Sequence, residues 1–354
     1  MSDSVRYGII GCGMMGREHL HNIALLDGAV AGAIYEPDAE MSATAARIAP
    51  EATVHNSFDE LLRDASLDCL LVVSPNHLHV DQLKQIADTR PLPLLVEKPL
   101  FTDPKDRDAL IRFENDYPAP VWVAMEYRFM PPIAAFLEQA DDATGGIRMM
   151  TIREHRYPFL HKVGHWNRFN RFTGGTLVEK CCHFFDLTRR ALGAEPVRIM
   201  ASAAQDVNHL EELYEDATPD ILDNGYVIID FDNGARAMVE LCMFADGSRF
   251  QEELTAVGAA GKIEARVPGP TRFWPHDLGD PPTPDLEVSP RAPRGPRRLE
   301  IPVDPKLLAA GDHNGSTFYQ HEKFLKLVRG ETQTPEVSLR DGRLAVEMGL
   351  AAQR

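Results

Sequence analysis

The stretch YGIIGCGMMGREH, residues 7–19, carries Gly11, Gly13 and Gly16 in G-x-G-x-x-G spacing between an apolar run and an amphipathic one. That spacing has a mechanical reading. The first glycine makes the tight turn out of a strand, the second lets backbone amides approach a pyrophosphate, and the third lets strand and helix pack closely, with the phosphate at the positive helix end. Glycines that merely turn a chain are the ordinary alternative, so the flanks decide. Met14 and Met15 open the expected helix, and Glu36 ends the next apolar run, 20 residues beyond Gly16. An acid there accepts hydrogen bonds from an adenosine ribose and repels a 2′-phosphate. The order strand, turn, helix, strand and acid predicts a dinucleotide site that takes NAD rather than NADP.

Around this motif, apolar runs of strand length alternate with amphipathic segments of helix length. VRYGIIG (5–11), AVAGAIYE (29–36), DCLLVVSP (68–75) and PLLVEKP (93–99) predict buried strands, and 14–26, 57–64, 77–88 and 103–115 predict helices. Ser57 with Glu60 reads as a capping box, and Asp103 before Pro104 as an N-cap with proline at the first helical position. Such alternation implies a doubly wound parallel sheet covered on both faces. From about residue 125 the rhythm changes to strands in succession: RMMTIREHR (148–156), VRIMASAAQ (197–205), YVIIDF (226–231), ARAMVELCMF (235–244) and ELTAVGAAGKIEARV (253–267). Asn233-Gly234 between two of them signals a type I′ hairpin. The expectation is α/β: residues 1–124 form a dinucleotide-binding domain, and residues 125–354 an α+β domain on a large, mostly antiparallel sheet, with helices near 176–192, 314–329 and 340–352. Residues 268–305 hold eleven of the 26 prolines and predict an irregular excursion, as a lid, an oligomer arm or a plain surface loop.

Composition narrows the function classes. A 354-residue chain exceeds what one core usually organises. Its formal charge of −16, from 37 Lys and Arg against 53 Asp and Glu, opposes attraction to phosphate backbones and anionic membranes. MSDSVRYGII has no basic segment leading into a long apolar one, and no window has the length and apolarity of a spanning helix. These features predict a cytoplasmic chain without nucleic-acid or membrane partners. The five cysteines include no C-x-x-C pair. Adjacent Cys181 and Cys182 on a helix point about 100° apart and do not readily converge with His183 on one ion, so no metal is expected.

Three further stretches, SPNHLH (74–79), EKP (97–99) and GGTLVEKCCHFFD (174–186), join the N-terminal fingerprint in a pattern that resembles the Gfo/Idh/MocA family of nicotinamide-dependent oxidoreductases. VAMEYRFMP (123–131) and GDHNGSTFYQHEKFL (311–325) extend the resemblance over nearly the whole chain. It implies a Rossmann domain followed by an open-faced sheet domain that commonly forms homodimers or homotetramers, with substrate between the domains beside the nicotinamide. Cofactor contacts would fall on Gly11, Gly13, Met14, Met15, Gly16 and Glu36, then on Ser74, Pro75, Asn76, His79, Glu97, Lys98 and Arg128. The family's lysine by the reacting carbon is Lys98, its acid-base histidine is His183, and the usual aspartate four residues earlier is replaced by Glu179. The chain stops at GLAAQR (349–354), where the resemblance implies more sequence.

Within GGTLVEKCCHFFD the residues themselves leave two readings. Thr176 and Glu179 have capping-box spacing, with Gly174 and Gly175 leading in. Leu177, Cys181, Phe184, Thr188 and Ala191 fall on one face, so the cysteines read as packing residues, whereas Glu179, His183, Asp186 and Arg190 fall on the opposite one. That stripe is either a solvated face or, as the resemblance implies, the border of the cleft. Asp186 then supports the site, pairs with Arg190 or is simply solvated. Upstream, REHRYPFLHKVGHWNRFNRF (153–172) gathers Arg153, His155, Arg156, Lys162, His165, Trp166, Asn167, Arg168 and Arg171. Substrate contacts are expected from Arg156, Trp166, Asn167 and Arg168 together with Lys98, Glu179 and His183, a donor-rich set suited to a polyhydroxylated or anionic small molecule; a basic solvated loop is the alternative. The functional expectation is oxidation of a ring hydroxyl of a sugar, cyclitol or glycoside, or the reverse reduction. Aldehyde or other carbonyl reduction, and a non-catalytic sensor of NAD or sugar, are the alternatives.

Overall fold

The computed structural model describes residues 4–354. β1 (Val5–Ile10), β2 (Ala29–Tyr35), β3 (Thr53–Val54), β4 (Cys69–Val72), β5 (Leu94–Val96) and β6 (Val121–Val123) form one sheet in the order β3-β2-β1-β4-β5-β6. Every neighbouring pair in it is parallel. Helices Met14–Ile23, Ala39–Ile48, Phe58–Leu62, His79–Thr89 and Arg107–Asp116 lie between the strands in sequence. Ile9, Ile10, Leu70, Leu71, Leu94 and Leu95 are buried, which is why these strands read as continuous apolar runs rather than alternating ones. Strand order reverses at β1, between β2 and β4, and a crevice opens beyond the strand ends there.

The expected helices are present with moved ends. Ser57 Oγ accepts from Glu60 N–H, but the Glu60 carboxylate caps the N–H of Asn56 instead of Ser57. Helix Ala39–Ile48 was not among the expected ones: its apolar stripe, Met41, Ala45 and Ile48, is short and only Ala45 on it is fully buried; Asp38 caps it by accepting from Glu40 and Met41.

The second sheet contains β7 (Ile147–His155), β8 (Pro196–Ala204), β9 (Asn224–Phe231), β10 (Arg236–Cys242), β11 (Glu252–Gly258), β12 (Gly261–Val267), β13 (Asp285–Pro290) and β14 (Arg297–Glu300). Its order is β14-β13-β12-β11-β7-β10-β9-β8, antiparallel except where β7 meets β10. Three expectations need correction. The run 253–267 is a hairpin of β11 and β12, not one strand. The proline-rich excursion adds β13 and β14 to the sheet edge, since among its prolines only Pro290 lies inside a strand, at the last position. The Asn233-Gly234 turn is not type I′: Gly234 has φ of 80° but Asn233 is not among the positive-φ residues. Gly234 N–H donates to Phe231 O and Asn233 Oδ1 accepts from Ala235 N–H, the pattern of a three-residue loop with a left-handed glycine.

The second sheet is covered on one face only. Val227, Ile229, Val239, Ile152, Leu254 and Ile263 are buried on that face, beneath helices that include Pro131–Thr144 and Cys182–Leu192. On the other face Met149, Met200, Tyr226, Ile228 and Val257 are exposed. The C-terminal helix Leu339–Gln353 packs on both Cys182–Leu192 and β6, joining the two halves.

A buried ion pair strengthens that junction. Arg128, expected at the cofactor, instead donates to both oxygens of Asp186 at 2.6 and 2.5 Å and to Glu336 O at 2.7 Å. Asp186 therefore pairs with Arg128 and not with Arg190, which is exposed. Removing one partner of a buried pair leaves an uncompensated charge. Asp186→Ala is expected to lower unfolding free energy by about 3–5 kcal/mol in urea titration, and wild-type stability would contradict the role given to this pair.

Candidate active site

The crevice at the ends of β1, β2 and β4 has a volume of about 310 Å³. Gly11, Gly13, Met14, Met15 and Glu36 line one part of it, and Ser74, Pro75, Asn76, Glu97 and Lys98 another. The glycine roles follow from space. Gly11 has φ of 93°, and a Cβ on it would lie 2.8 Å from the backbone of Ser74. A Cβ on Gly16 would lie 2.4 Å from Gly11 O, so Gly16 sets close packing and does not line the crevice. A Cβ on Gly13 would meet nothing within 4 Å, which leaves the space a pyrophosphate needs. No side chain caps the helix that Gly13 opens, and no acid lies in its first turn, so its positive end is free for an anion. Asn76 Nδ2 is buried without a protein partner, and Glu36 accepts from Cys12 N–H at 2.6 Å and Asp38 N–H at 2.9 Å while facing the crevice. These residues fit a dinucleotide. His79 does not join them: its Nδ1 and Nε2 face the carbonyls of Pro99 and Ser74, so it braces the two loops from beneath.

Opposite the crevice the expected helix 176–192 is interrupted. Thr176–Glu179 and Cys182–Leu192 are separate turns, with the break at Lys180 and Cys181. The capping box is absent. Gly175, with φ of 96°, occupies the cap position, and Thr176 donates its hydroxyl to Leu222 O at 2.6 Å. Glu179 is thereby free of the helix start. Its carbonyl accepts from Lys98 Nζ at 3.1 Å, its Oε1 lies 3.5 Å from Lys162 Nζ, and its Oε2 is buried without a partner.

Of the stripe expected to face solvent or the cleft, Glu179, His183 and Asp186 are buried and Arg190 is exposed. His183 is 1% exposed and stacks on Tyr127 with ring centroids 4.1 Å apart, its Nδ1 unpartnered. Burial, reinforced by the charges of Lys98, Lys180, His313 and Arg156, pushes its pKa well below that of a free imidazole. The ring is neutral at pH 7, not poised near its ordinary value as the sequence suggested. For Lys98 burial acts downward, but Cys182, Glu179, Glu97 and Glu126 outweigh it and raise the pKa, so the ammonium stays charged. Cys181 and Cys182 are free and fully buried, as packing residues would be, and burial pushes the Cys182 thiol up to about 12.

The basic segment divides. Trp166 lines the crevice, with Lys162 Nζ 4.4 Å above its ring, and His161, Lys162 and Val163 line it too. Of the other expected substrate contacts, Glu179, His183, Arg156, Asn167 and Arg168 do not line it, the first two lying beside the lining residues Lys98 and Lys162. Arg156 donates to Tyr157 O and faces Glu154, Asn167 donates to Leu160 O, and Arg168 donates to Glu212 at 3.0 Å, so all three hold the segment's own shape.

Two buried clusters behind His183 escaped the sequence reading. Lys180 Nζ lies 2.8 Å from Glu154 and donates to Tyr127 Oη at 2.5 Å. Glu252 pairs in register with Glu154, and burial together with that neighbour raises its carboxyl to about 7. Strand parity carried the signal: Glu154 shares a face with Met150 and Ile152, and Glu252 with Leu254 and Ala256. In the second cluster Glu18, Glu126 and His313 converge, the one His/carboxylate group among the described residues with spacing for a metal. Thr317 Oγ1 lies 2.8 Å from both Glu18 Oε1 and Glu126 Oε2. Burial raises Glu126, whereas His313, Asp312 and Thr317 outweigh burial and lower Glu18 to about 2. His313 beside Glu18 is raised to about 9, its two carboxylate neighbours overcoming burial.

Comparison with known proteins agrees with this geometry. Residues 5–125 match the model of the oxidoreductase family's NAD-binding Rossmann fold, and residues 141–354 match that of its C-terminal alpha/beta domain. An inositol 2-dehydrogenase of Corynebacterium glutamicum (strain R) is 29% identical over 56% of this chain, which spans 57% of that relative's length. A myo-inositol 2-dehydrogenase of Thermotoga maritima is 23% identical over 99% of this chain and 96% of its own. Among solved structures, levoglucosan dehydrogenase in complex with NADH and levoglucosan superposes with a TM-score of 0.77 at 20% identity, covering 98% of this chain and 96% of that one. With both family models matched in order across two sheets and a glycine-lined crevice, this chain belongs to the Gfo/Idh/MocA oxidoreductase family.

Proposed function

We propose that this protein oxidises a ring hydroxyl of a sugar, cyclitol or glycoside with NAD as acceptor, or catalyses the reverse reduction. The observation that carries the proposal is the meeting of a charged Lys98, a neutral His183 and an unpartnered Glu179 oxygen beside a dinucleotide-shaped crevice. Relatives named as inositol dehydrogenases and a neighbour named for levoglucosan support a polyhydroxylated ring as the substrate class. NAD bound in the crevice would take the hydride from the carbinol carbon. Gly11, Gly13 and Asn76 would hold its pyrophosphate end and Glu36 its ribose, where the carboxylate disfavours a 2′-phosphate.

Removal of hydride requires loss of the hydroxyl proton. His183, held neutral and flat against Tyr127, has a lone pair to accept it, and Lys98 stabilises the developing alkoxide by charge and hydrogen bonding. Glu179, four residues before His183, would compensate the imidazolium that results, and Lys162 and Trp166 would border the ring's seat. The uncovered face of the second sheet, where Met149, Met200, Tyr226, Ile228 and Val257 lie among ion pairs such as Arg153–Glu253 and Arg198–Asp230, is the surface we assign to homo-oligomer assembly. No helix of the described residues is long and apolar enough to cross a membrane.

Nicotinamide fluorescence across a panel of cyclitols, sugars and glycosides tests the reading. Reduction of NAD by ring polyols is expected, turnover only with NAD(P)H and aldehydes would make the protein a carbonyl reductase, and binding without turnover would make it a sensor. Cofactor choice is expected to rest on Glu36: Glu36→Ser should weaken NADH binding by about 1–3 kcal/mol and narrow its margin over NADPH, and equal wild-type affinity for the two would contradict this. On a substrate found in the panel, His183→Ala should lower kcat by about 10² to 10⁴ with NADH affinity kept. Because the neutral imidazole is the base and its pKa is depressed, the acid limb of wild-type kcat for oxidation should lie below pH 6.5; a limb centred at or above 6.5 would rule out this protonation state. Glu179 caps nothing, so Glu179→Gln should leave the melting temperature unchanged while kcat falls about tenfold or more. Full turnover in that variant would remove Glu179 from the site.

A further inference from the structure

Beneath the crevice lies a chain of three buried side chains from distant parts of the sequence. Glu97, at the end of β5, has Oε1 2.9 Å from His19 Nε2, and its Oε2 accepts the Lys98 backbone N–H at 3.1 Å. His19, on Met14–Ile23, has Nδ1 2.8 Å from Nε2 of His321, on Ser316–Val328. Both imidazoles are 0% exposed, and His321 Nδ1 has no partner.

Proton placement follows from these contacts. A carboxylate facing His19 Nε2 requires a proton on that nitrogen. Two ring nitrogens at 2.8 Å share a single proton, and a buried orphaned N–H is rarer and costlier than a bare lone pair. His321 therefore donates from Nε2 to His19 Nδ1, His19 donates from Nε2 to Glu97, and the unpartnered Nδ1 of His321 carries the lone pair. Burial with the adjacent His19 keeps His321 far below its ordinary pKa, in accord with a neutral ring.

We infer that His321 is a positioning residue for Lys98, acting through His19 and Glu97: the relay pins the Glu97 carboxylate under the Lys98 backbone and keeps it from turning away from the ammonium. This rests on the reading of Lys98 as the lysine of the reaction. Titratable groups around Lys98 are Glu97 in its own turn, Glu179, Lys180, Cys182 and His183 at and after the helix break, Glu126 at the domain junction, and Lys162 across the crevice. Around His321 they are His19 and Tyr7. The hydrogen-bonded path from His321 to Lys98 runs through His19 and Glu97.

Competitive acetylation of Lys98 with acetic anhydride, read by peptide mass spectrometry against pH, reports its proton affinity without a substrate. In His321→Leu, which removes the donor, the labelling midpoint should fall by about 0.5 unit or more, roughly a threefold change. His321→Gln retains an N–H donor and should stay near the wild-type midpoint. A wild-type midpoint in His321→Leu, or equal shifts in Leu and Gln, would overturn the relay. Nitrogen-15 spectra of histidine-labelled wild-type protein need no variant to fold: His321 should remain neutral with Nε2 protonated between pH 5 and 9, and its titration in that range would also overturn the relay. Turnover separates the two claims. Lys98→Met that keeps wild-type kcat would end the functional reading, whereas an unmoved midpoint in His321→Leu ends the relay alone.

Discussion

The contact between Lys98 Nζ and the carbonyl of Glu179 joins the two halves of the molecule at the point where they must act together. Lys98 follows β5 of the parallel sheet, and Glu179 closes the turn before the interrupted helix. The carbonyl lies at the break, where it also takes the thiol of Cys182 at 3.6 Å. Gly175 starts that turn in a backbone conformation a side chain would resist, and this early start releases both Thr176 and Glu179 from capping. A local backbone choice thus leaves a carboxylate that could have served the helix to face Lys162, which lines the crevice.

Charge compensation maintains this arrangement. Lys98, Lys162, Lys180 and Arg156 crowd a neutral His183, and Glu97, Glu154, Glu179 and Glu252 offset them, the deepest of these groups almost entirely out of water. Such density is costly unless each charge has a partner. Most do: Lys180 with Glu154, Arg128 with Asp186, His313 with Glu18. The exceptions are informative. Glu154 Oε2, Glu252 Oε2, Glu179 Oε2 and His183 Nδ1 are buried without a partner, and in the function we propose the last two would meet a hydroxylated ring and its proton.

How much of this was legible in the sequence depended on whether the signal was local. The glycine turn, the buried parallel strands and Glu36 were readable because each rests on short-range geometry. Glu179 and His183 were singled out by motif resemblance, but the neutral state of His183 and the absence of a cap were not, since the first follows from burial and the second from Thr176 turning to the distant Leu222 carbonyl. Arg128, Arg156, Asn167 and Arg168 were misplaced for a related reason: a donor's residue type does not reveal whether a carboxylate or carbonyl from another element will take it. Lys162 stood in the basic segment without distinction from its neighbours until folding placed it over Trp166. The strands inside the proline-rich excursion were hidden because pairing with β12 is a long-range fact.

Hydride transfer from a ring carbon is the central claim, and isotopic labelling tests it most directly. With NAD and a panel of cyclitols, sugars and glycosides deuterated at every carbinol carbon, the account predicts reduced cofactor bearing one deuterium at C4 of the nicotinamide. Reduced cofactor that carries solvent hydrogen there, or cofactor that stays oxidised across the panel, would contradict it.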